Sequence, residues 1–509
     1  MKTLTLKRII ALLFAIIMVL SVVACTKNPD EPKESDKPTE AVTNPTDDSQ
    51  EPGDTEETEE IYTSAKSDYE EGTTISFLFP DAQTENKYSI CNDIWIESMT
   101  GDVLADAVWK RNELLKSSTG ITVSYVMNNG KMLDALKQDQ ASGDYVYEVI
   151  GPSYNDVVAF FNSQLIADIS TLGFNMSYSW FEDNCAEIFT INGKQFAMSS
   201  SITFLDKVSC PAVIFNKTLV EDNQFGDLYQ MVIDKTWNWN EMLRMAEVVT
   251  SGNVDDGEYT MDDFYGISSQ NDFSYYMLHS TGLTTVVKNE KGEFVYNGKN
   301  EILVDCLVDI YTVMANSNIF LNRQGTVGST QDIPAILDHF AAGKSLFLIR
   351  PVESLFGLRD RTDEFGVIPM PLYYEGQDEY YSATNTYVAA ATCFTNYIPK
   401  DRYQKVNDAI QVLAMQSNKL VMPALYEVCL GSRLVNDKNA SAMLDIIFLN
   451  KTYDFGFIFN IGSIRTYIVQ KHASVKRAIG NIGTALGSID KVVEQKLTFF
   501  MNQVNNYNK

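Results

Sequence analysis

Residues 338–371 constrain the fold most strongly, because helical and strand patterns alternate there with short breaks between them. A helical apolar pattern ends at Gly343, and an apolar strand is predicted over residues 345–349. A second helical piece then precedes a second predicted strand, Phe365–Ile368. Alternation at this spacing indicates an α/β sheet. Ligands bind beyond the carboxyl ends of strands in such sheets, so residues 350–354 are expected on the rim of a crevice.

An earlier stretch repeats the same alternation. Strands are predicted over residues 74–79, 121–127 and 145–150, with helices over 102–118 and 131–142 between them. Crossover segments of this length favour a parallel sheet. Tyr154, Asn155 and Asp156 follow the third strand, where they are candidates either for ligand contact or for capping the next helix.

Six short motifs occur in a fixed order along the chain. They are I-N-G-K at 191–194, F-N-K at 215–217, W-N-W at 237–239, Y-G-I at 265–267, F-x-x-G-K at 340–344 and G-V-x-P-x-P at 366–371. This order resembles that of the family 1 extracellular solute-binding proteins of ABC importers, the maltose-binding-protein-like branch. The resemblance extends over residues 73–509.

The resemblance implies an α/β fold of the periplasmic-binding-protein-like type II, with two lobes joined by a hinge and a ligand cleft between them. Residues 73–208 and 386–431 are expected to form the N-terminal lobe, and 212–383 and 434–509 the C-terminal lobe. Residues 387–393 are predicted to form a strand that returns to the first lobe. The implied partners are a small-molecule ligand and an ABC permease, and the protein is expected to be a monomer.

The first 25 residues have the features of an export signal. Lys2, Lys7 and Arg8 precede an apolar run that is short for a membrane span. The four residues that end at Cys25 resemble a bacterial lipobox, which implies lipid attachment at Cys25. An ordinary cleaved signal or an uncleaved anchor is the alternative. The protein is therefore expected to be lipid-anchored on the extracytoplasmic face of a bacterial cell membrane.

Residues 26–72 are predicted to be a disordered acidic tether. Between residues 26 and 60 the chain has thirteen Asp or Glu, three Lys and five Pro, with almost no large apolar side chain. Such a segment buries too little apolar surface to offset the entropy lost on ordering. A solvated spacer is a simpler interpretation than an acidic partner-binding tail.

The whole chain has a formal net charge of −27. Binding to nucleic acid needs clustered Lys and Arg, so the composition argues against that class of partner. It also disfavours a polyanionic ligand and says little about neutral sugars.

Six cysteines remain after Cys25, and no C-x-x-C pair occurs among them. Zinc sites and thioredoxin-like redox chemistry are therefore not expected. Disulfides and buried free thiols both remain open for an exported chain with a large core. Cys185 and Cys210 are the first pair to test for a disulfide.

No catalytic motif marks the chain as an enzyme. It has three histidines far apart and contains no H-E-x-x-H, G-x-S-x-G or Walker-type sequence. Two carboxylates that converge in space, as in a glycosidase, remain open because sequence spacing does not exclude them. No cofactor and no metal are expected.

The expected ligand is a carbohydrate, specifically an oligosaccharide, because sugar rings pack on aromatic planes and hydroxyls need polar partners. The alternatives are a secreted lipoprotein glycosidase or esterase, and a ligand-binding component of a sensor system. The candidate ligand-binding residues lie in strand-to-helix loops or match the family pattern. They are Trp95, Tyr154, Asn155, Asp156, Asp272, Tyr275, Arg350, Val352, Glu353, Asn385 and Arg465.

Overall fold

The computed structural model describes residues 60–80, 93–128, 131–250, 260–322, 333–358, 365–434, 438–469 and 472–507. The chain divides into units 1–58 and 59–509, and every described residue belongs to the second unit. The predicted signal segment, the lipidation site Cys25, most of the predicted tether and Cys91 lie outside the described residues.

The described unit mixes short strands with many helices. The strands are β1 (Thr74–Pro80), β2 (Thr122–Asn128), β3 (Val149–Ile150), β4 (Thr190–Ile191), β5 (Lys194–Gln195), β6 (Pro211–Asn216), β7 (Tyr265–Ser269), β8 (Val286–Lys288), β9 (Phe294–Tyr296), β10 (Phe320–Asn322), β11 (Ser345–Pro351), β12 (Phe365–Ile368), β13 (Ser382–Ala383), β14 (Cys393–Phe394) and β15 (Lys451–Thr452). The α-helices are α1 (Val103–Thr119), α2 (Met132–Ser142), α3 (Val157–Asn162), α4 (Asp183–Phe189), α5 (Leu205–Val208), α6 (Lys217–Asp222), α7 (Leu228–Ile233), α8 (Trp239–Thr250), α9 (Phe273–His279), α10 (Glu301–Ala315), α11 (Ile333–Ala341), α12 (Ser354–Leu358), α13 (Tyr403–Gln416), α14 (Met422–Leu434), α15 (Lys438–Leu449), α16 (Phe455–Ile458), α17 (Ile464–Ile468), α18 (His472–Ile479), α19 (Ile482–Ser488) and α20 (Asp490–Asn505). Within the described ranges, no helix combines the length and the apolar character that a membrane crossing requires.

The first sheet has the strand order β14-β3-β1-β2. β1 runs parallel to both β2 and β3, and Phe77 lies opposite Tyr125 on one side and Val149 on the other. Residues 75–79 of β1 are buried because α1 and α13 cover this sheet. The predicted parallel arrangement of these three strands is confirmed.

The second sheet has the strand order β10-β7-β11-β6-β12. β7, β10 and β11 run parallel, whereas β6 is antiparallel to both of its neighbours. β6 is buried along its whole length, which explains why its sequence is apolar rather than alternating. The strands predicted at 345–349 and Phe365–Ile368 belong to this sheet.

A glycine allows helix α8 to pack closely on β7. A Cβ atom on Gly266 would lie 2.4 Å from Cβ of Ala246 and 2.6 Å from its backbone oxygen. Real Cβ atoms do not approach a backbone this closely, so the Y-G-I motif meets a packing requirement of the second sheet.

The chain passes from the first sheet to the second between β3 and β6, and it returns with β14. The predicted strand over residues 387–393 is wrong in extent, because only Cys393–Phe394 forms a strand. Asn385 begins a turn instead, since its carbonyl accepts hydrogen bonds from the amides of Val388 and Ala389. We call residues 385–389 the crossing segment.

Ordered structure begins earlier than the predicted tether boundary at residue 72. Residues 60–72, here called the N-terminal strap, lie against α13. The hydroxyls of Tyr62 and Tyr69 both donate to the carboxylate of Asp408, at 2.9 and 2.8 Å. The two tyrosines supply aromatic surface, which residues 26–60 lack, and this accounts for the difference.

The five described cysteines, which are Cys185, Cys210, Cys306, Cys393 and Cys429, are all buried, and no two of them are joined by a disulfide. Cys185 and Cys210 therefore do not form a disulfide in this structure. Burial raises the pKa of each of these two thiols to about 12.

We expect these five thiols to be inert in the folded protein, because the thiolate is the reactive form and burial disfavours it. Ellman's reagent added to the described unit, 59–509, with Cys91 replaced by Ser, should give almost no thiol signal under native conditions and five thiols in denaturant. Rapid native labelling of two or more thiols would contradict this expectation.

Candidate ligand-binding site

Two parallel strands of the second sheet bring polar side chains to one edge. β7 and β11 are paired with Leu348 opposite Ser268, so their carboxyl ends lie side by side. Gln270 follows β7 directly, and Arg350 lies at the end of β11. This is the position at which α/β sheets bind ligands.

A cavity of about 260 Å³ opens at this edge. The second sheet contributes one wall and the crossing segment contributes the other. The lining residues are Gln270, Asp272, Arg350, Pro351, Glu353, Asn385, Tyr387 and Val388. Four residues proposed from the sequence therefore meet here, although they are spread over more than 110 positions of the chain.

Gln270 organises the polar wall of this cavity. Its side-chain oxygen accepts a hydrogen bond from Nη1 of Arg350. Its Nε2 donates to Oδ2 of Asp272 at 2.7 Å and to the Tyr276 hydroxyl oxygen at 3.2 Å. Nδ2 of Asn385 donates to the same hydroxyl oxygen at 2.8 Å, so the network joins the second sheet to the crossing segment.

The two carboxyl groups of the cavity differ in their surroundings. Burial raises the pKa of Asp272, and the nearby guanidinium of Arg350 opposes that effect. Burial raises the pKa of Glu353 further, to about 8, again against the opposing charge of Arg350. Among the described residues, Oε2 of Glu353 has no hydrogen-bond partner.

The crossing segment is also tied to the loop that follows β3. The amide of Tyr154 donates to Ala389, and the amide of Asn155 donates to Thr386, both at 3.2 Å. The side chain of Asn155 is buried, and neither of its amide atoms has a partner within the described part of the chain. The loop after β3 therefore lies next to the crossing segment, but Tyr154, Asn155 and Asp156 are not among the residues that line the cavity.

Arg465 and Asp156 lie near the exposed ring of Tyr387 rather than in the wall of the cavity. Burial lowers the pKa of Arg465, and the nearby Tyr387, Tyr275 and Asp156 oppose this shift. Nε of Arg465 donates to the carbonyl of Phe457 at 2.6 Å. Nη2 donates to the carbonyl of Ile458, so two of the five N–H donors of Arg465 fix the position of its guanidinium.

The structure places three other proposed residues inside the core. Tyr154 is fully buried against Phe189 and Tyr453. Tyr275 is also buried, and its hydroxyl donates to the carbonyl of Thr384 at 2.8 Å. Val352 is fully buried after β11. Each of these side chains packs against segments that are distant in the chain, so the local sequence does not show that it is buried.

Trp95 lies elsewhere, beside the first sheet. Its ring stacks on Tyr125 with centroids 6.3 Å apart, and the side chain is partly exposed. It is not among the residues that line the cavity.

Gln270, Tyr387 and Val388 were not among the candidates from the sequence, and Pro351 was expected only as part of the rim formed by residues 350–354. Gln270 carries a usable signal, because it lies at the carboxyl end of a strand of the second sheet. Tyr387 was assigned to a strand, so its exposure on a turn was not expected. Among the described residues, no group of three or more His, Cys, Asp or Glu is arranged to hold a metal ion.

No family model matches the sequence, and no curated protein is similar enough to match it. Solved structures do match. The maltose/maltodextrin-binding domain MalE of Bdellovibrio bacteriovorus, bound to maltotriose, is 13% identical and has a TM-score of 0.50, with 84% of this chain and 100% of that chain covered.

Two further structures match to a similar degree. The maltose-bound MalE3 of T. maritima is 14% identical with a TM-score of 0.50, covering 82% of this chain and 100% of that one. A cyclo/maltodextrin-binding protein complexed with maltotetraose is 14% identical with a TM-score of 0.53, covering 84% and 99%. The chain therefore has the type II periplasmic-binding-protein fold of the MalE-like solute-binding proteins, with two lobes, a hinge and a cleft between the lobes.

Proposed function

We propose that the protein is the substrate-binding component of an ABC importer and that it captures a carbohydrate, specifically an oligosaccharide. The observation that carries the proposal is the polar cavity between the carboxyl edge of the second sheet and the crossing segment. The three matching structures bind maltotriose, maltose and maltotetraose, which agrees with a saccharide ligand.

The residues of the cavity suit a ligand rich in hydroxyl groups. Asp272, Arg350 and Asn385 offer acceptors and donors in fixed orientations, because Gln270 and Tyr276 hold them. The ring of Tyr387 is 48% exposed and presents an aromatic face on which a sugar ring would pack. The cavity is slightly smaller than typical small-molecule pockets, so it would enclose one end of an oligosaccharide.

Binding would act on the arrangement of the two lobes. A ligand that contacts both the second sheet and the crossing segment has more contacts in the closed form, so it shifts the population toward closure. The closed form then docks on the permease. In this proposal no bond of the ligand is made or broken.

The proposed lobes are residues 73–208 with 386–431 and residues 212–383 with 434–509, extended at the amino end by the N-terminal strap. The polypeptide would be held on the extracytoplasmic side of the membrane through a lipid on Cys25 and would act as a monomer. The lipid would be tested by metabolic labelling with a palmitate analogue in the wild type and in Cys25→Ala.

A glycosidase is the second candidate, because the buried Glu353 and the half-buried Asp272 line one cavity and both carboxyl groups have a raised pKa. Glycosidases use such a pair as acid and nucleophile or base. Release of chromophore from nitrophenyl glycosides by the purified protein, lost in Asp272→Asn, would favour this candidate. Stable binding of intact oligosaccharide favours the transport proposal.

We expect a saccharide to raise the free energy of unfolding by about 2.7 kcal/mol at a hundredfold excess over its Kd, since it binds only the folded state. A thermal-shift screen of a glycan panel measures this effect. Arg350→Ala should abolish the shift because it removes the partner that orients Gln270.

Arg244→Ala is the matched control for Arg350→Ala. Arg244 pairs with Glu241 on the exposed side of α8 and should leave the shift unchanged. Stabilisation by peptides and by no saccharide would overturn the carbohydrate assignment.

A further inference from the structure

Glu353 is a buried carboxyl group at the wall of the cavity, and no salt bridge to it is seen among the described residues. Its amide donates to the carbonyl of Val208 at 2.9 Å, and its carbonyl accepts from Phe356 at the start of α12. The residue is only 7% exposed, so its side chain cannot turn out into solvent. Oε2 nevertheless has no hydrogen-bond partner in the described part of the chain, and the residue lines the cavity.

The charged groups around Glu353 are already engaged. Arg350 donates to Gln270 through Nη1 and to Ser354 through Nε, and its charge is shared with Asp272. From the side of α5, the ammonium of Lys207 is bound to Glu182 at 2.9 Å.

Two tyrosines complete the surroundings of Glu353. Tyr276 lies behind Gln270 and accepts its hydrogen bond, and Tyr387 faces the cavity from the crossing segment. If Glu353 were ionised, it and Asp272 would be two carboxylates that share the single guanidinium of Arg350.

We propose that Glu353 selects uncharged, hydroxyl-bearing ligands by binding them as a neutral carboxylic acid whose O–H donates to a ligand oxygen. This inference rests on the proposed carbohydrate function. A neutral acid offers one donor and one acceptor, which matches the hydrogen-bonding capacity of a hydroxyl group. Asp272, in the same cavity, disfavours an acidic sugar by like charge.

The titration of Glu353 agrees with this geometry. Burial raises its pKa to about 8, so the group keeps its proton at neutral pH. The folded state holds this proton more tightly than the unfolded chain does. The contribution of Glu353 to stability therefore falls as the pH rises from the ordinary pKa of a glutamic acid to about 8.

The first experiment compares the wild type with Glu353→Gln and Glu353→Ala by titration calorimetry with maltotriose. Glutamine keeps the shape and a neutral donor, so Glu353→Gln should bind within about threefold of the wild type at neutral pH. Affinity of the wild type should fall about tenfold between pH 7 and pH 9, whereas that of Glu353→Gln should not change. Glu353→Ala should lose most of the affinity at every pH.

Charged oligosaccharides test the alternative, in which Glu353 binds its ligand as an anion. If chitotriose prepared as the free amine binds the wild type more tightly than maltotriose, and Glu353→Gln abolishes that binding, Glu353 acts as an anion and the proposal is wrong. Trigalacturonate should not bind the wild type.

A measurement without ligand tests the protonation of Glu353 independently of the carbohydrate function. The free energy of unfolding of the wild type should fall relative to Glu353→Gln between about pH 5 and pH 8 and then level off. Parallel profiles would show that Glu353 is ionised in the empty cleft and would overturn the inference. If the profiles diverge and no saccharide binds either protein, the carbohydrate function fails and the selectivity with it, while the buried proton stands.

Discussion

Replacement of Lys451 by methionine is expected to lower the free energy of unfolding by roughly 3–5 kcal/mol, because it leaves the buried carboxylate of Asp206 without its direct counter-charge. Nζ of Lys451 lies 2.6 Å from Oε1 of Glu182 and 2.8 Å from Oδ2 of Asp206. The side chains of Lys451 and Asp206 are both fully buried. Denaturant unfolding at neutral pH measures the loss.

The loss should depend on pH in a defined direction. Burial alone would raise the pKa of Asp206, but Lys451 and Lys207 outweigh it and hold that pKa at about 2. Without Lys451 the carboxyl groups would take up protons at higher pH, so the deficit of Lys451→Met should shrink as the pH falls toward about 4.

Lys344→Met is the matched control. Lys344 pairs with Asp262 at 3.1 Å, but the carboxylate is almost fully exposed. Such pairs contribute about 0–1 kcal/mol. Equal losses for the two variants would contradict the assignment of the buried network as a stabilising feature.

Replacement of Asp408 by alanine is expected to release the N-terminal strap and to cost roughly 2–4 kcal/mol. The fully buried carboxylate accepts from the hydroxyls of Tyr62 and Tyr69, from the amide of Lys66 at 3.1 Å and from Gln404 at 2.8 Å. Alanine would leave these donors without an acceptor. Unfolding measurements give the stability, and trypsin cleavage at Lys66 reports the release of the strap.

Two variants make this measurement specific. Tyr69→Phe keeps the ring and removes one hydrogen bond, so it should cost about 0.5–1.5 kcal/mol. Asp401→Ala changes an exposed carboxylate just before the same helix and should change neither stability nor cleavage. Unchanged trypsin resistance in Asp408→Ala would show that the apolar contacts of the strap hold it alone.

Local sequence patterns predicted the strands and the loops that follow them. The apolar run before Arg350 identified β11, and a polar side chain at the end of a parallel strand must lie near the sheet edge. Arg350, Glu353 and Asp272 reach the cavity for this reason, whereas Asn385 reaches it from the crossing segment. The short motifs also agree with a type II binding-protein fold.

Side chains within a loop were harder to assign, because their direction depends on distant segments. Tyr154 follows a predicted strand, and Tyr387 begins one. The ring of Tyr154 is enclosed by Phe189 and Tyr453, whereas the turn that begins at Asn385 exposes Tyr387. The residues that enclose Tyr154 lie far along the chain, so its local sequence does not show that it is buried.

By itself, the sequence determined the class of fold, the order of the elements and the edge of the sheet at which polar groups gather, because these follow from local periodicity and chain direction. Only the tertiary structure decided which side chains face the cavity, that Oε2 of Glu353 has no hydrogen-bond partner among the described residues and that Asp408 fastens the N-terminal strap. Those properties arise from contacts between residues far apart in the chain, and the burial that shifts a pKa or leaves an oxygen unpaired exists only after the chain has folded.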